Sequence, residues 1–416
     1  MGSETSQGSQ SGGRPAIAGG EPVFPRKVPI LKPDIPPLDP LLGDLRSVIA
    51  SGMLTNGPKV QEFERTIAEF LGVREVVAVS SCTAGLMLTL RALGLRGEVV
   101  LPSFTFHVTG SALLWNNLIP VFADCDPDTF CIDPQWVEKN ITEKTAGIFA
   151  VHMYGHPAKV RELEDLARRY SLPLIFDAAH AFGARYDGVP VGGFGCAEVF
   201  SLSPTKLITS GEGGLVATND PNLAKLVRAG RNYGDPGTYD PVLLGLNARM
   251  SELHATLGLH TFNRINENVQ ARNMIRRRYE EGFGSLPGLS FQKIHSWAQS
   301  TCKDFSVLVD PEPFGMSRDL LCDALAAENV ETKKYFYPPL HRQKQFSAYY
   351  RPQVDPLVVT EKISARVLSF PIYSALSVAD VDSICEAVKG IQGYVSKLSA
   401  EERGHLLARA SLAVAR

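Results

Sequence analysis

The stretch Leu174–Lys206 reads LIFDAAHAFGARYDGVPVGGFGCAEVFSLSPTK and carries the features that decide the fold. It contains two short apolar runs, Leu174–Asp177 and Val199–Leu202, whose length and bulky residues are typical of buried strands. The first run ends on the carboxylate Asp177, and the second is followed by small polar residues and Lys206. Ligands of open α/β sheets bind beyond the carboxyl ends of the strands. The stretch therefore predicts part of a parallel sheet with a site at its carboxyl edge.

Other apolar runs of the same kind complete the sheet. They are Val76–Ser80, Val99–Pro102, Pro120–Ala123, Gly147–Val151 and Gly214–Thr218. In chain order, the first five strands run from Val76–Ser80 to Leu174–Asp177. The segments between them are long enough for crossover helices, which predicts a largely parallel sheet with helices on both faces. The last strand follows a glycine-rich turn and is compatible with an antiparallel orientation. We therefore predict an α/β fold with a seven-stranded, mostly parallel sheet.

The length of 416 residues favours a large domain and a smaller one. Residues 1–32 are rich in Ser, Gly, Gln and Pro, which predicts a disordered leader. Beyond about residue 265 the sequence changes to a long charged helix followed by shorter apolar runs. The predicted organisation is a large cofactor-binding domain at 33–265, a small C-terminal α/β domain at 266–396, and a terminal helix or tail at 397–416.

The charge balance argues against several classes of partner. Lys and Arg total 42 against 44 Asp and Glu, for a net charge of -2, so no overall positive field attracts nucleic acid or an anionic membrane. No run approaches the ~18 apolar residues of a membrane helix, and the N-terminus lacks a signal-peptide pattern. The seven cysteines show no C-x-x-C spacing, which favours reduced thiols over a metal site. We expect a cytoplasmic protein without bound metal, nucleic acid or membrane.

Small residues mark the first predicted strand-to-helix junction. Ser81, Cys82 and Thr83 lie between the strand Val76–Ser80 and the helical stretch Leu86–Leu93. Free N–H groups at a helix N-terminus favour an anion, so this junction predicts a phosphate cradle. Neither a dinucleotide fingerprint nor a P-loop is present. Taken alone, Ser or Thr at this place is more often a helix cap.

Two charged residues lie at or just past the ends of the strands Leu174–Asp177 and Val199–Leu202. A buried carboxylate such as Asp177 is costly unless a cation or donors meet it, and a helix cap or a metal ligand is the plainer explanation. Lys206 lies in a loop of small residues, where desolvation would lower its pKa and make it an amine nucleophile for carbonyls. A phosphate cradle, a carboxylate for a pyridinium and a lysine for an aldehyde are together what pyridoxal phosphate (PLP) requires.

At this point the sequence resembles the DegT/DnrJ/EryC1/StrS family of PLP-dependent sugar aminotransferases, which have the type I aminotransferase fold. The resemblance covers roughly residues 30 to 390. The motifs that carry it, in order, are Leu54–Pro58, Ser80–Ala84, Pro102–Phe106, Val151–Gly155, Asp177–Ala181, Ser201–Lys206 with Gly211–Gly214, and Asn247–Met250.

The resemblance implies a role for each matching residue. Lys206 falls on the lysine that holds the cofactor, and Asp177 on the partner of the pyridine nitrogen. His180 stands where many members carry glutamine, near the cofactor's phenolic oxygen, and these three form the predicted catalytic set. Phe106 takes the place of the aromatic residue that stacks on the ring. The predicted phosphate site consists of Ser81, Cys82, Thr83, Ser201 and Ser203.

A further implication is a homodimer with shared active sites, because Asn247 matches an asparagine that reaches the phosphate of the neighbouring subunit. The residues expected to bind substrate are Thr55, Arg249, Tyr337 and His341.

The predicted reaction is transfer of the amino group of glutamate to a nucleotide-linked keto-deoxysugar, with a 4-keto-6-deoxyhexose as the expected acceptor, in deoxyaminosugar biosynthesis. The alternatives are a sugar dehydratase, an aminocyclitol aminotransferase and a non-catalytic PLP-binding regulator. The dehydratase branch of the family has histidine in place of the lysine, and Lys206 favours amino transfer.

Overall fold

The computed structural model describes residues 14–399 and residue 402. Within these residues the strands are β1 Glu75–Val79, β2 Glu98–Pro102, β3 Ile119–Ala123, β4 Thr145–Val151, β5 Leu174–Asp177, β6 Arg185–Tyr186, β7 Val189–Pro190, β8 Ala197–Ser201, β9 Gly214–Thr218, β10 Leu289–Phe291, β11 Ala298–Gln299, β12 Phe305–Val309 and β13 Val367–Phe370. The helices are α1 Leu38–Ser51, α2 Pro58–Leu71, α3 Cys82–Ala92, α4 His107–Trp115, α5 Pro134–Asn140, α6 Val160–Arg169, α7 Pro221–Arg231, α8 Glu252–Phe262, α9 Ile265–Phe283, α10 Pro311–Phe314, α11 Arg318–Ala327, α12 Val358–Arg366 and α13 Val378–Val395.

The large sheet has seven strands in the order β1-β9-β8-β5-β4-β2-β3. Strand β9 pairs antiparallel with β1 and with β8, and the other neighbours pair in parallel. The predicted α/β fold with a seven-stranded, mostly parallel sheet is confirmed. The antiparallel orientation of Gly214–Thr218 is confirmed as well.

Helices cover both faces of this sheet because alternate strand residues point to opposite sides. In β4, Phe149 packs in the cluster that contains Leu88 of α3, whereas Ile148 and Ala150 pack in the cluster that contains Leu163 of α6. The strands are therefore mostly apolar, with the buried Glu198 of β8 as an exception, and polar side chains collect at their carboxyl ends. Since β4, β5 and β8 are neighbours, the segments that follow them meet at one edge.

The C-terminal part of the chain builds a second core around the antiparallel sheet β10-β12-β13. The rings of Tyr279 and Phe305 stack with centroids 4.8 Å apart, and Phe283 and Phe370 pack beside them. Helix α9 contributes to both cores, since its first turns join the large-domain core and its later turns join this one. The predicted domain boundary at residue 265 falls at the start of this shared helix and stays a prediction.

The segment before α1 packs on the small domain. The carboxylate of Glu328 accepts hydrogen bonds from the backbone N–H groups of Ala16 (2.8 Å) and Val23 (2.9 Å). Phe24 and Val28 are buried in the small-domain core. The prediction of a disordered leader is therefore wrong for residues 14–32, because a polar composition concealed a few apolar residues that have a core to join. Residues 1–13 lie outside the described residues, as does most of the predicted tail at 397–416.

Among the residues described, no helix combines the length and the apolar character needed to cross a membrane.

Candidate active site

A cavity of about 350 Å³ opens at the carboxyl edge of the large sheet, where the small domain covers it. Its lining residues come from both domains. They are Ser81, Cys82, Thr83, Thr105, Phe106, Val108, Val151, Asp177, Ala179, His180, Ser201, Ser203, Thr205, Lys206, Glu212, Gly213, Lys303, Asp304, Tyr335 and Phe336. The structure thus brings together the three predicted catalytic residues and every predicted cofactor residue except Asn247.

Lys206 reaches the cavity from the loop that follows β8. Its backbone N–H donates to the carbonyl of Ser203 at 3.0 Å, which closes a tight turn in this loop. Burial, with a contribution from the neighbouring charge of Lys303, lowers the pKa of Lys206 to about 8. The amine is therefore partly neutral near physiological pH, which is the form that attacks a carbonyl.

Asp177 is the last residue of β5 and is buried at the floor of the cavity. Its Oδ2 accepts a hydrogen bond from Thr109 Oγ1 at 2.8 Å, and its Oδ1 accepts one from the N–H of Ala179 at 3.1 Å. Burial raises the pKa of this carboxyl, although these donors and the charge of Lys206 act in the opposite direction. Among the residues that the structure describes, no cation forms an ion pair with Asp177, so this carboxylate is suited to a cationic group in the cavity.

The N-terminus of α3 forms the third part of the site. Ser81 caps the helix by accepting a hydrogen bond from the N–H of Ala84 at 3.1 Å, so this serine has the helix-capping role that is common at such a position. The first N–H groups beyond the cap have no partner within a helix, and the dipole makes this end positive. Gly214 of β9 passes so close that an added Cβ would lie 2.5 Å from the backbone nitrogen of Cys82. Glycine is therefore required at this position.

Hydroxyl groups continue this anion-binding edge on the neighbouring strand end. Ser203 Oγ lies 3.5 Å from Ser201 Oγ and 3.3 Å from Thr205 Oγ1. Phe106 is 48% exposed and lies at the cavity wall, so its ring face is available for stacking.

The small domain contributes a wall that the sequence did not predict. Lys303 and Asp304 form a buried ion pair, with Lys303 Nζ 2.7 Å from Asp304 Oδ1. Tyr335 and Phe336 lie beside them in the cavity lining. A sequence signal existed: two charged residues stand directly before the apolar run Phe305–Val309, where side chains are buried.

Four of the predicted site residues lie away from this cavity within the chain. Asn247 and Thr55 are exposed, and Thr55 donates to the carbonyl of Met250 at 3.1 Å. Arg249 donates to the Oδ1 of Asn247 at 3.2 Å. Tyr337 is exposed, and the guanidinium of Arg318 lies 4.8 Å from its ring centroid. Their predicted roles stay predictions.

His341 also lies outside the cavity and is buried. Its Nδ1 is 2.7 Å from Ser103 Oγ and its Nε2 is 2.7 Å from Glu361 Oε1. The Nδ1 contact holds the small-domain segment against the end of β2, and the Nε2 contact ties it to α12 of the same domain. His341 is not part of the cavity lining, and its predicted role in substrate binding stays a prediction.

The residues that line the cavity fit PLP. The buried carboxylate of Asp177 suits a protonated pyridine nitrogen, and the low pKa of Lys206 suits an amine that holds an aldehyde. The N-terminus of α3, with the serine hydroxyls beside it, suits the phosphate. Fold and site together define an α/β enzyme of the PLP-dependent aminotransferase class.

The model of the DegT/DnrJ/EryC1/StrS aminotransferase family matches residues 40–389, and the chain belongs to this family. The dTDP-4-amino-4,6-dideoxy-D-glucose transaminase of Escherichia coli is 32% identical over 339 residues, which cover 81% of this chain and 91% of that enzyme.

Solved structures give the same result. The structure of DesI in the presence of its TDP-sugar product aligns with a TM-score of 0.88 and 36% identity, over 93% of this chain and 98% of that chain. A Streptococcus pneumoniae protein, Spr1654, described as a sugar aminotransferase and solved in its PLP form, aligns with a TM-score of 0.81 and 25% identity, over 90% and 100% of the two chains. The chain is therefore a sugar aminotransferase of a family whose members use PLP.

Proposed function

We propose that this enzyme transfers the amino group of glutamate to a nucleotide-linked keto-deoxysugar, with a 4-keto-6-deoxyhexose as the acceptor. The observation that carries the proposal is the presence of Lys206, with its lowered pKa, in one cavity with Asp177 and the N-terminus of α3. The acceptor class is supported by the names of the relatives, since one is a dTDP-aminosugar transaminase and another was solved with a TDP-sugar product.

Bound PLP would supply an electron sink for the carbon that gains or loses the amino group. Lys206 would hold the cofactor and then move a proton at the reacting carbon of the substrate. Asp177 would hold a proton on the ring nitrogen, and the burial of this carboxylate strengthens the charge interaction. The N-terminus of α3 would bind the phosphate, and Phe106 would cover one face of the ring.

The reaction can be tested with a panel of nucleotide-linked keto-sugars and L-glutamate carrying ¹⁵N on its amino group. We expect mass spectrometry to show one labelled nitrogen in a 4-amino-6-deoxyhexose product, and the released keto acid to be 2-oxoglutarate. Label in a 3-amino sugar or in an aminocyclitol would replace the acceptor proposed here. Loss of a sugar hydroxyl without incorporation of label would support the dehydratase alternative.

We also propose a homodimer in which Asn247 of each subunit completes the phosphate site of the other. Within its own chain Asn247 is exposed and does not line the cavity, although Arg249 donates a hydrogen bond to it. The loop before it exposes apolar side chains, including Leu244 (73% exposed) and Tyr239 (97% exposed), which would be costly in water unless a second copy covers them.

Mixed dimers test this arrangement. Chains with Lys206→Ala and chains with Asn247→Asp are each expected to be inactive, because one lacks the amine and the other repels the phosphate. Co-expressed heterodimers should recover activity, since one of their two sites combines an intact Lys206 with an intact Asn247. Purified heterodimers without activity would contradict the shared site.

A further inference from the structure

Two buried polar atoms face each other across the domain junction of the cavity. His180 Nδ1, at the end of β5, lies 3.9 Å from Asp304 Oδ2, just before β12. Neither atom has a hydrogen-bond partner among the described residues. Leaving buried polar groups unpaired is costly. A proton placed between His180 Nδ1 and Asp304 Oδ2 would satisfy both atoms.

The charge of Asp304 is fixed by its neighbour. Lys303 Nζ lies 2.7 Å from the other carboxylate oxygen, Oδ1, and both side chains are at most 5% exposed. Burial alone would raise the pKa of Asp304, but the charge of Lys303 and its hydrogen bond lower it overall. Asp304 therefore faces His180 as a carboxylate, which can accept a hydrogen bond and cannot donate one.

The backbone that carries Asp304 is held in register with His180. Thr301 Oγ1 donates to the carbonyl of His180 at 2.7 Å. The N–H of Lys303 donates to the carbonyl of Tyr154 at 2.9 Å, and Arg272 Nη1 donates to the carbonyl of Lys303 at 3.0 Å.

The packing at this junction is tight. Gly155 has a φ of +89°, and a Cβ there would lie 1.9 Å from Thr301 Oγ1, so only glycine fits at this position. The backbone segments that carry His180 and Asp304 are therefore held at a fixed distance.

The imidazole ring itself is held by stacking on Phe336, with ring centroids 6.2 Å apart and planes 16° apart. Burial, and then the charge of Lys206, lower the pKa of His180 well below its ordinary value, so the ring is neutral. A neutral ring carries one proton. If that proton were on Nε2, the lone pair of Nδ1 would face the carboxylate of Asp304, which is repulsive.

We propose that Asp304 is a positioning residue that holds His180 with its proton on Nδ1. The His180 ring lines the cavity, and its Nε2 is then left as a hydrogen-bond acceptor. A glutamine side chain at this place would offer both a donor and an acceptor, whereas this ring offers only an acceptor. It would therefore select a hydroxyl or amine donor of the bound molecules. This selection depends on the proposed function, but the tautomer does not.

The tautomer can be read without turnover. Full-length protein with ¹⁵N-labelled histidine is examined by NMR with and without added PLP, and His180 is assigned from the signals lost in His180→Gln. We expect the Nδ1 signal of His180 to have the shift of a protonated nitrogen and the Nε2 signal that of an unprotonated one. The opposite pattern in the PLP-free parent would overturn the proposal, whatever reaction the enzyme catalyses.

The role of Asp304 is tested by two variants. Asp304→Ala removes the acceptor, and the double variant Lys303→Met with Asp304→Leu replaces the buried ion pair by apolar groups of similar size, a change that proteins often tolerate. In both, His180 is expected to shift its proton to Nε2. Asp323→Ala, which removes a carboxylate of the same domain outside the cavity, is the control. Retention of the Nδ1 proton in a folded variant would show that Asp304 does not set the tautomer.

Kinetics provides a second readout. Loss of a hydrogen bond to a charged group should lower kcat about tenfold in Asp304→Ala, with a smaller effect on KM for glutamate. An unchanged kcat, together with the altered tautomer, would show that the position of the proton has no part in catalysis.

Discussion

The two walls of the cavity have different construction. On the large-domain side, Asp177 ends β5, Lys206 lies in the loop that follows β8, and both line the cavity. On the small-domain side, Lys303 and Asp304 are paired with each other before any ligand arrives. The large-domain wall therefore presents groups suited to bond formation, and the small-domain wall presents a charge arrangement that acts on those groups.

This difference predicts a hierarchy of effects. Changes in the large-domain wall should remove chemistry, because they delete atoms that would act on the cofactor or the substrate. Changes in the small-domain wall should shift pKa values, tautomers or rates. Changes farther from the cavity should alter stability alone.

The largest effect is expected from Lys206→Ala, which removes the amine of the large-domain wall. Amino transfer should fall by about 10³-fold or more, because both nucleophilic and acid–base functions are lost. Folding should survive, since a buried lysine contributes little to packing. The measurement is ¹⁵N transfer from glutamate, with circular dichroism to check folding. Lys225→Ala, on the exposed side of α7, is the control, and equal activity of the two variants would rule out this role for Lys206.

The next effect is expected from Asp177→Asn, which keeps the shape of the side chain and removes its charge. Single-turnover rates should fall about 10²-fold, because an electrostatic partner of a developing charge is lost. PLP should still bind, as its visible absorbance would show. The exposed Asp165→Asn is the matched control. Parent-like single-turnover rates in Asp177→Asn would mean that this carboxylate does not support the ring nitrogen.

The small-domain wall is tested by the pH dependence of PLP uptake. Only the neutral amine of Lys206 attacks an aldehyde, so the uptake rate of PLP-free protein should rise with pH through about 8 and then level off. Lys303→Met removes a positive charge that lowers the pKa of Lys206. The midpoint should therefore move to higher pH.

At pH values below the new midpoint, Lys303→Met should slow the uptake of PLP by up to about tenfold. Lys333→Met, at an exposed position of the same domain, should leave the profile unchanged. A midpoint that stays in place after Lys303→Met would show that the charge of Lys303 does not affect the pKa of Lys206.

The large-domain wall could be predicted from the sequence for a physical reason. Parallel strands share an edge, so polar residues that end separate apolar runs must meet there. This holds for Asp177, Lys206 and the hydroxyl residues near α3. The order of the motifs then led to the family, and the family match confirms that step.

The small-domain wall could not be predicted in the same way. Lys303 approaches Lys206 only because the segment before β12 docks on the turn after β4, and no local pattern encodes that docking. His341 was likewise placed by its motif alone, and the structure adds contacts that no motif encodes: its Nδ1 lies 2.7 Å from Ser103 Oγ of the large domain, and its Nε2 lies 2.7 Å from Glu361 Oε1 of the small domain. The segment at residues 14–32 was misjudged because its composition is polar, although Phe24 and Val28 pack into a core.

The smallest effect is expected in the segment at residues 14–32. It tests whether a change far from the cavity leaves the reaction rate unchanged. Glu328→Gln keeps one acceptor oxygen, but its amide group faces one of the two N–H donors, of Ala16 or Val23, that the carboxylate satisfies. The free energy of unfolding should fall by about 1–2 kcal/mol, because one charge-assisted hydrogen bond is lost at a buried site. Denaturant unfolding measures this, with the exposed Glu312→Gln as the control.

Proteolysis locates the effect of Glu328→Gln. Arg26 and Lys27 are exposed, and the backbone around them is held in place by the contacts of the segment at residues 14–32. Trypsin should cut there faster in Glu328→Gln than in the parent, since loosening the segment lets the backbone enter a protease site. Amino transfer at saturating substrate should stay close to the parent rate because no group in the cavity has moved. Faster cleavage with a large loss of activity would mean that the segment at residues 14–32 is coupled to the cavity.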